Sequence, residues 1–457
     1  MALDTAEKIN PFRRRAAAGG LLTIGAFGLT VILRFGTNVI LSRLVAPEVF
    51  GIAAIINTLK TGVELITDVG IGQSVVRNAK GDDPTFYNTA WTVQAMRGLA
   101  LFLVLFVAAY PLSQVYGISA AAIQLGALTL LVLGLTSTSL FLMQRDLRVG
   151  RLNSFDLCMD LSGSALVILF TYLSPTIWGL VTASVLAASV RLVASHAIVP
   201  RGQRNRFLLD KRHLHEILSF GKWIFVSSLL AFFCANFDKL YLAYSMPLAI
   251  LGIYGIARNI ADLPVMLMAR LGHLVLFPLI AAQSHDASVD VREQLRPIRF
   301  KVLSVAALAI GFGVAVSDLA VDLVYDPRYQ EAGWMLSLSL LGAWAAILCT
   351  VNEYAVLGMG RPVYGATANL MKLGCMLVGL PLAFALSGLE AVILVIAAAE
   401  AIRYLPIAVG QRRLKLSFLR QDALLTILML SMVAAVLSVR QAAGYPYPLE
   451  TIFGGLF

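Results

Sequence analysis

Charge is scarce in this sequence. Only 14% of its 457 residues are Asp, Glu, Lys or Arg, and 59% are hydrophobic; a soluble globular chain carries about one quarter charged residues. That balance excludes an ordinary soluble domain. Cysteine is scarce too. Cys158, Cys234, Cys349 and Cys375 lie in or beside apolar runs without metal-ligand spacing, and free thiols are expected. His213 and His215 are two residues apart, which points their rings apart on a helix, so solvated side chains are expected there rather than metal ligands. No G-x-x-x-x-G-K-[ST] phosphate loop occurs, which argues against an ATP-driven pump. No catalytic residues, metal or cofactor are expected.

What is present in abundance is apolar sequence in runs long enough for a bilayer, which needs about 20 residues per helix. Hydropathy places spans near 18–45, 49–76, 88–112, 118–143, 153–173, 176–199, 217–245, 248–281, 299–325, 330–357, 363–387, 389–410 and 422–440. The fold class is therefore all-α and polytopic. The basic N-terminal segment runs into a long apolar stretch with no convincing cleavage site, so it reads as a first transmembrane helix.

The net charge of +10 follows the loops. Arg13, Arg14 and Arg15, then Arg77, Arg145, Arg148, Arg201, Arg204, Arg292, Arg296, Arg299, Arg361, Arg412 and Arg413 all fall in alternate connections, as do 23 of the 36 basic residues. The opposite connections are short and nearly uncharged. By the positive-inside rule the N-terminus is cytoplasmic, and the charge is a topology signal, not a nucleic-acid footprint. Outward loops this short leave no room for an extracellular catalytic domain.

The halves echo each other. LSRLVAPEVFGI (41–52) is matched by LAYSMPLAILGIYGI (242–256), each a helix end, a Pro and a Gly-containing start to the next helix. Six spans per half make this a parallel repeat about an axis along the membrane normal. The expected organisation is an N-terminal six-helix lobe (1–199), a basic cytoplasmic linker (200–216), a C-terminal six-helix lobe (217–410), and a basic loop, thirteenth helix and short tail (411–457). Such repeats build alternating-access transporters.

Charges inside spans cost about 2.5–3.5 kcal/mol each at a helix centre, so they face a cavity or a partner. They concentrate in the first two spans of each half: Arg34 and Asn38; Lys60, Glu64 and Asp68 at four-residue spacing; Asp238 and Lys239; Arg258, Asp262 and Arg270. Lys60–Glu64 and Arg258–Asp262 are equally explained as intrahelical ion pairs, and Lys239 by snorkelling. Arg97, Asp160, Arg191, Lys372, Glu400 and Arg403 are scattered, with pairing between helices the default. Arg34 and Arg270 have no opposite charge one turn away. The substrate-binding candidates are Arg34, Asn38, Lys60, Lys239, Arg258 and Arg270. A cavity lined by them suits an anion, and Arg suits phosphate because its fork donates two bonds at once. Glu64, Asp68, Asp238 and Asp262 are candidates for a coupling ion.

Leu41 to Gly51 and Asp68-Val69-Gly70 resemble the pattern of Wzx-type polysaccharide flippases, in the WzxC-like branch of the multidrug/oligosaccharidyl-lipid/polysaccharide exporter superfamily. ANFDKLYLAYSMPLAILGIYGIA (235–257) and LGMGRP (357–362) resemble the family's seventh-to-eighth helix turn and its loop after the tenth helix. The likeness runs over most of residues 20–380. It implies two six-helix bundles that flip an undecaprenyl-diphosphate-linked oligosaccharide across the bacterial inner membrane, alongside polysaccharide polymerase and export proteins. A multidrug exporter of the same superfamily and a membrane glycan polymerase or ligase are the rival readings. The ending QAAGYPYPLETIFGGLF is too short for the family's fourteenth helix.

Overall fold

The computed structural model describes residues 25–66, 70–78, 81–146, 148–198, 204–276, 280 and 291–448. Asp68, Gly202 and Ser284 and the N-terminal arginines lie outside them. Every regular element among these residues is helical. In chain order they are α1 Gly25–Leu44, α2 Pro47–Ile66, α3 Ile71–Arg77, α4 Pro84–Tyr116, α5 Ala120–Gly134, α6 Ser139–Arg145, α7 Val149–Leu173, α8 Ile177–Ala197, α9 Lys211–Ser245, α10 Leu248–Leu271, α11 Val291–Val324, α12 Ala332–Gly358, α13 Val363–Arg413 and α14 Leu419–Ala442. Among the described residues nine helices are long and apolar enough to cross a membrane, or ten if the bent pair α5–α6 is one span. Large apolar side chains such as Val107, Tyr110, Leu323, Leu386 and Val439 are exposed on them. Exposure on that scale is stable only against lipid.

The chain divides into two compact units, Met1–Phe232 and Phe233–Phe457, with the boundary inside α9. The repeat seen in sequence recurs in backbone geometry. Val45 N donates to Leu41 O at 3.0 Å and Met246 N to Leu242 O at 2.9 Å; Val49 N donates to Ala46 O at 3.0 Å and Ile250 N to Pro247 O at 2.9 Å. These two bonds of the first turn have their counterparts 201 residues later. At that offset Asp238 falls on Thr37 and Arg258 on Asn57, so the turn is repeated and the charges are not.

Unit 1 is organised by a close crossing of α4 and α5. A Cβ on Gly98 would lie 2.7 Å from Gly134 Cα, so only glycine at both positions allows the two backbones to approach this far. α4 starts at Asp83, whose side chain accepts from Thr85 N at 3.1 Å, and stops at Gly117 in the left-handed region, φ 66°. Just past the crossing the fourth span, expected as one piece over 118–143, breaks by 56° into α5 and α6. The carbonyls released by the break are taken up by α4 and α8. Trp91 Nε1 donates to Leu135 O at 3.2 Å, Gln94 Nε2 to Gly134 O at 3.2 Å and to Thr136 O at 3.0 Å, and His196 Nε2 lies 3.0 Å from Leu135 O. Non-helical backbone at membrane depth persists only with such partners.

The end of the 200–216 linker is not a free basic connection. Arg206 N donates to Asn88 Oδ1 (2.8 Å), Leu208 N to Thr92 Oγ1 (3.0 Å) and Asp210 N to Thr89 Oγ1 (3.2 Å), so the segment is laced onto α4. His213, expected in solvent, packs edge-on against Phe86 with ring centroids 5.4 Å apart, and its Nδ1 lies 3.1 Å from Asp210. The docked segment carries it there.

In unit 2, α12 is buried along most of its length and packs against α10, α11 and α13. Small residues permit this: a Cβ on Gly342 would meet Ala397 Cα at 2.9 Å, and one on Gly333 would meet Asp318 Cα at 2.8 Å. The two expected spans 363–387 and 389–410 are two helical arms that join directly within Val363–Arg413. Gly388 divides it, at φ 73° and ψ −146°, a conformation essentially confined to glycine. Arg299, expected at a loop edge, is instead inside α11 with its side chain 2% exposed. Its partners come from three other positions in the fold: Gln421 Oε1 at 2.7 Å, Asn352 Oδ1 at 2.9 Å, and Asp422. Gln411, from α13, joins through Asn352 at 2.9 Å, and Tyr404 through Asp422 at 2.6 Å. This buried polar cluster ties α11, α12, α13 and α14 together.

Candidate functional site

In unit 1 a cavity of about 690 Å³ opens beside the α4–α5 crossing. Two guanidiniums, Arg97 and Arg191, line it with one carboxylate, Glu64, and three carboxamides, Gln73, Gln94 and Gln144. The apolar wall comes from Leu101, Leu130, Leu133 and Phe141. Each arginine is oriented by a neighbour. Arg97 Nη2 donates to the backbone carbonyl of Glu64, which fixes α4 to α2. Arg191 Nη2 meets Asp156 Oδ1 at 2.7 Å, with its guanidinium carbon 5.4 Å from the Phe155 ring centre. A guanidinium has five donors in a rigid fork, so one such bond positions it without exhausting it. The hollow thus combines fixed positive charge, neutral hydrogen-bonding groups and apolar surface. That chemistry suits an amphiphile with an anionic, hydroxyl-rich head.

Of the sequence candidates among the described residues, Glu64 lines this cavity. Arg34 on α1 faces α7: its Nη2 lies 3.6 Å from Asp160 Oδ1, and Thr30 Oγ1 donates to the same carboxylate at 3.2 Å. The Arg34 side chain remains 65% exposed. Its carboxylate neighbour is thus on α7, 126 positions along the chain. Asn38 is half-buried one turn further along α1, and Lys60 half-buried on α2, its stem running past Gly126 of α5. Arg97 and Arg191 were legible only as scattered charges. The signal that would have raised them is Gln94 and Arg97 at three-residue spacing, two polar groups on one face of an otherwise apolar helix.

Unit 2 holds a second set, a chain of charges centred on the buried Lys372 and Glu400. Lys372 Nζ meets Glu400 Oε1 at 2.6 Å across the two arms of α13. Arg403 Nη2 meets Glu353 Oε2 at 2.6 Å, and Arg403 Nη1 reaches Glu400 Oε2 at 3.8 Å. Arg258 joins from α10, 3.0 Å from Asp262 and 3.8 Å from Glu400. Three cations and three carboxylates make this cluster locally balanced. The geometry gives Arg258 to Asp262 and Glu400. Asp238 is buried and accepts from Tyr254 Oη, while its Oδ1 has no hydrogen-bond partner among the described residues. Lys239 Nζ lies 3.4 Å from Asn236 Oδ1, and Arg270 is half-buried near the C-terminal end of α10. Among the described residues no group of His, Cys, Asp and Glu could hold a metal ion, and all four cysteines are free.

A multi-span helical protein in two compact units, with glycine-crossed helices and a guanidinium-lined cavity, has the build of the multidrug/oligosaccharidyl-lipid/polysaccharide exporter superfamily. Solved structures agree on the fold. A lipid II flippase, MurJ, in an inward closed conformation, superposes with a TM-score of 0.71 at 11% identity, over 91% of this chain and 92% of that one. A multidrug resistance MATE family transporter in an inward-facing conformation gives 0.60 at 13% identity, over 87% and 98%. The chain belongs to the polysaccharide biosynthesis protein family, whose model matches residues 40–333. It is 26% identical over 344 residues to the succinoglycan biosynthesis transport protein ExoT of Rhizobium meliloti, covering 74% of this chain and 67% of that one. It is 22% identical over 302 residues to the teichuronic acid biosynthesis protein TuaB of Bacillus subtilis (65% and 62%) and 21% identical over 330 residues to the lipopolysaccharide biosynthesis protein WzxC of Escherichia coli (71% and 64%). The matches span about two thirds of the length of these relatives. This is the Wzx-type kinship that the resemblance of Leu41–Gly51 implied.

Proposed function

We propose that the protein moves an undecaprenyl-diphosphate-linked oligosaccharide across the bacterial inner membrane by alternating access, without chemical change to the glycan. The observation that carries the reading is the unit 1 cavity, with Arg97 and Arg191 set among carboxamides and apolar side chains. A lipid diphosphate entering low dielectric needs a fixed positive partner, and a charge-assisted hydrogen bond is worth about 1.5–3 kcal/mol. The carboxamides suit sugar hydroxyls. The names of the relatives, all in surface-polysaccharide synthesis, support the same substrate class. The functional halves are taken as 1–199 and 217–410, with 411–457 appended. Arg34, Asn38, Lys60, Lys239, Arg258 and Arg270 contribute to the substrate path, while Glu64, Asp68, Asp238 and Asp262 are its coupling-ion candidates. Among these, the open acceptor Asp238 Oδ1 has the geometry for a proton or a monovalent cation. Polysaccharide polymerase and export proteins act downstream.

The multidrug reading shares the fold, so it is separated by ligand charge. A purified-protein binding measurement should show a polyprenyl diphosphate binding at least tenfold more tightly than lipophilic cations. Preference for the cation would overturn the proposal. Orientation is tested separately. The basic loops place the N-terminus and Gly202 in the cytoplasm and Ser174 outside. Single cysteines at these positions should label from outside intact cells only at Ser174; labelling at Gly202 would invert the topology.

A further inference from the structure

A second basic hollow lies in unit 2, away from the buried charges just described. It has a volume of about 800 Å³, and Arg292, Arg296, Arg412 and Arg420 all line it, with no carboxylate among the lining residues. All four arginines are exposed side chains at the N-terminal turns of α11 and α14 and the C-terminal end of α13. One wall is apolar: Phe300, Leu419 and Leu424 line the hollow and are themselves exposed. Its floor is rigid. Gln421 donates from Nε2 to Arg296 O at 2.9 Å and accepts from Arg299 at 2.7 Å, while the Arg299 guanidinium stacks 4.7 Å over Phe418. The buried Arg299 cluster therefore holds the backbone that carries Arg296 and Arg420 in register.

We propose that this hollow is a binding site for an anionic glycerophospholipid, separate from the transport path. Four guanidiniums, with no carboxylate among the described lining residues, favour a phosphate head. The exposed apolar wall continues from the head position onto the lipid-facing surface of α11 and α14, where acyl chains lie. A soluble phosphate would use the arginines and leave that wall in water. Basic pockets beside membrane helices recognise anionic lipid heads in this way. The four basic positions belong to loops that the positive-inside pattern assigns to the cytoplasmic leaflet. Lipid bound here bridges α11, α13 and α14, and its role is to stabilise unit 2 in anionic membranes.

The test uses the full-length purified protein in neutral detergent, with retained lipid counted by native mass spectrometry and thermal stability measured after adding phosphatidylglycerol, cardiolipin or phosphatidylcholine. The anionic lipids should be retained and should raise the unfolding temperature; phosphatidylcholine should do neither. The combined variant Arg292→Gln, Arg296→Gln, Arg412→Gln, Arg420→Gln should reduce retention more than tenfold, and the corresponding four Lys substitutions should restore most of it. Arg151→Gln with Arg204→Gln, which removes positive charge elsewhere on the surface, should leave retention intact. Inorganic diphosphate at millimolar concentration should not displace the lipid. Equal retention by the four-Gln variant, or equal loss in the control pair, would overturn the site. Displacement by inorganic diphosphate would show a simple phosphate site and overturn the lipid assignment, and displacement by a polyprenyl diphosphate alone would reassign the hollow to the transported substrate.

Discussion

Replacing Arg97 with alanine abolishes transport while leaving the protein folded and in the membrane, and Arg191→Ala does so nearly as completely. Both guanidiniums line the unit 1 cavity, where the proposed substrate's diphosphate would meet them as it leaves water. Loss of one charge-assisted contact of about 1.5–3 kcal/mol lowers the population of bound headgroup roughly 10- to 100-fold. Arg97→Lys and Arg191→Lys recover only part of the rate, because an ammonium cannot donate the bidentate fork. The readout is lipid translocation by protein whose thermal unfolding is measured alongside it. The Arg191 variant has a structural rival, since its partner Asp156 is left unpaired. Asp156 is about half exposed, so that loss is worth about 1 kcal/mol or less. If Asp156→Ala added to Arg191→Ala restores transport, Arg191 is a structural partner and not a substrate contact.

Glu400→Ala has the opposite signature: it destabilises unit 2 before any question of transport arises. The carboxylate is 4% exposed and meets Lys372, itself 7% exposed, at 2.6 Å, with Arg258 and Arg403 each 3.8 Å away. Removing one member of a buried pair leaves the other charge uncompensated, typically at about 3–5 kcal/mol. That is a large part of the stability of a membrane bundle. Expression and detergent unfolding temperature should both fall. The double variant Lys372→Met with Glu400→Met removes both charges at similar volume, so it should recover most of the loss. If Glu400→Ala were as stable as the parent and lost only transport, the cluster would be a working coupling site rather than a brace. Asp238→Asn separates the two roles further. Its open oxygen predicts loss of ion coupling with little loss of stability.

These contrasts show where sequence reasoning reaches and where it stops. Pro47 and Pro247 announced the repeated turns, because a proline end and a short connector are local features, and the matching hydrogen bonds follow. Gly388 separated two apolar runs where the long helix does turn through a glycine-only conformation. Partnerships, by contrast, were hidden. Arg34 has no opposite charge one turn away on its own helix, yet it meets Asp160, which lies far along the chain. Arg299 looked like a loop-edge charge because Asn352 and Asp422, which allow its burial, sit on other helices. The break between α5 and α6 was equally illegible. Gly134 and the Thr136–Thr138 run weaken the helix there, but a bend needs partners for the released carbonyls, and Trp91, Gln94 and His196 deliver them from other helices. Helix periodicity shows which face is apolar, but not which polar group another helix will deliver to it.

The central claim is that this chain translocates a lipid-linked glycan intact. The direct measurement places the purified full-length protein in liposomes loaded on one leaflet with an undecaprenyl-diphosphate oligosaccharide and follows its exposure on the other leaflet without ATP. The account predicts transfer of unaltered glycan above protein-free vesicles, lost with Arg97→Ala. No transfer under an imposed proton or sodium gradient, or elongation or cleavage of the glycan, would contradict it.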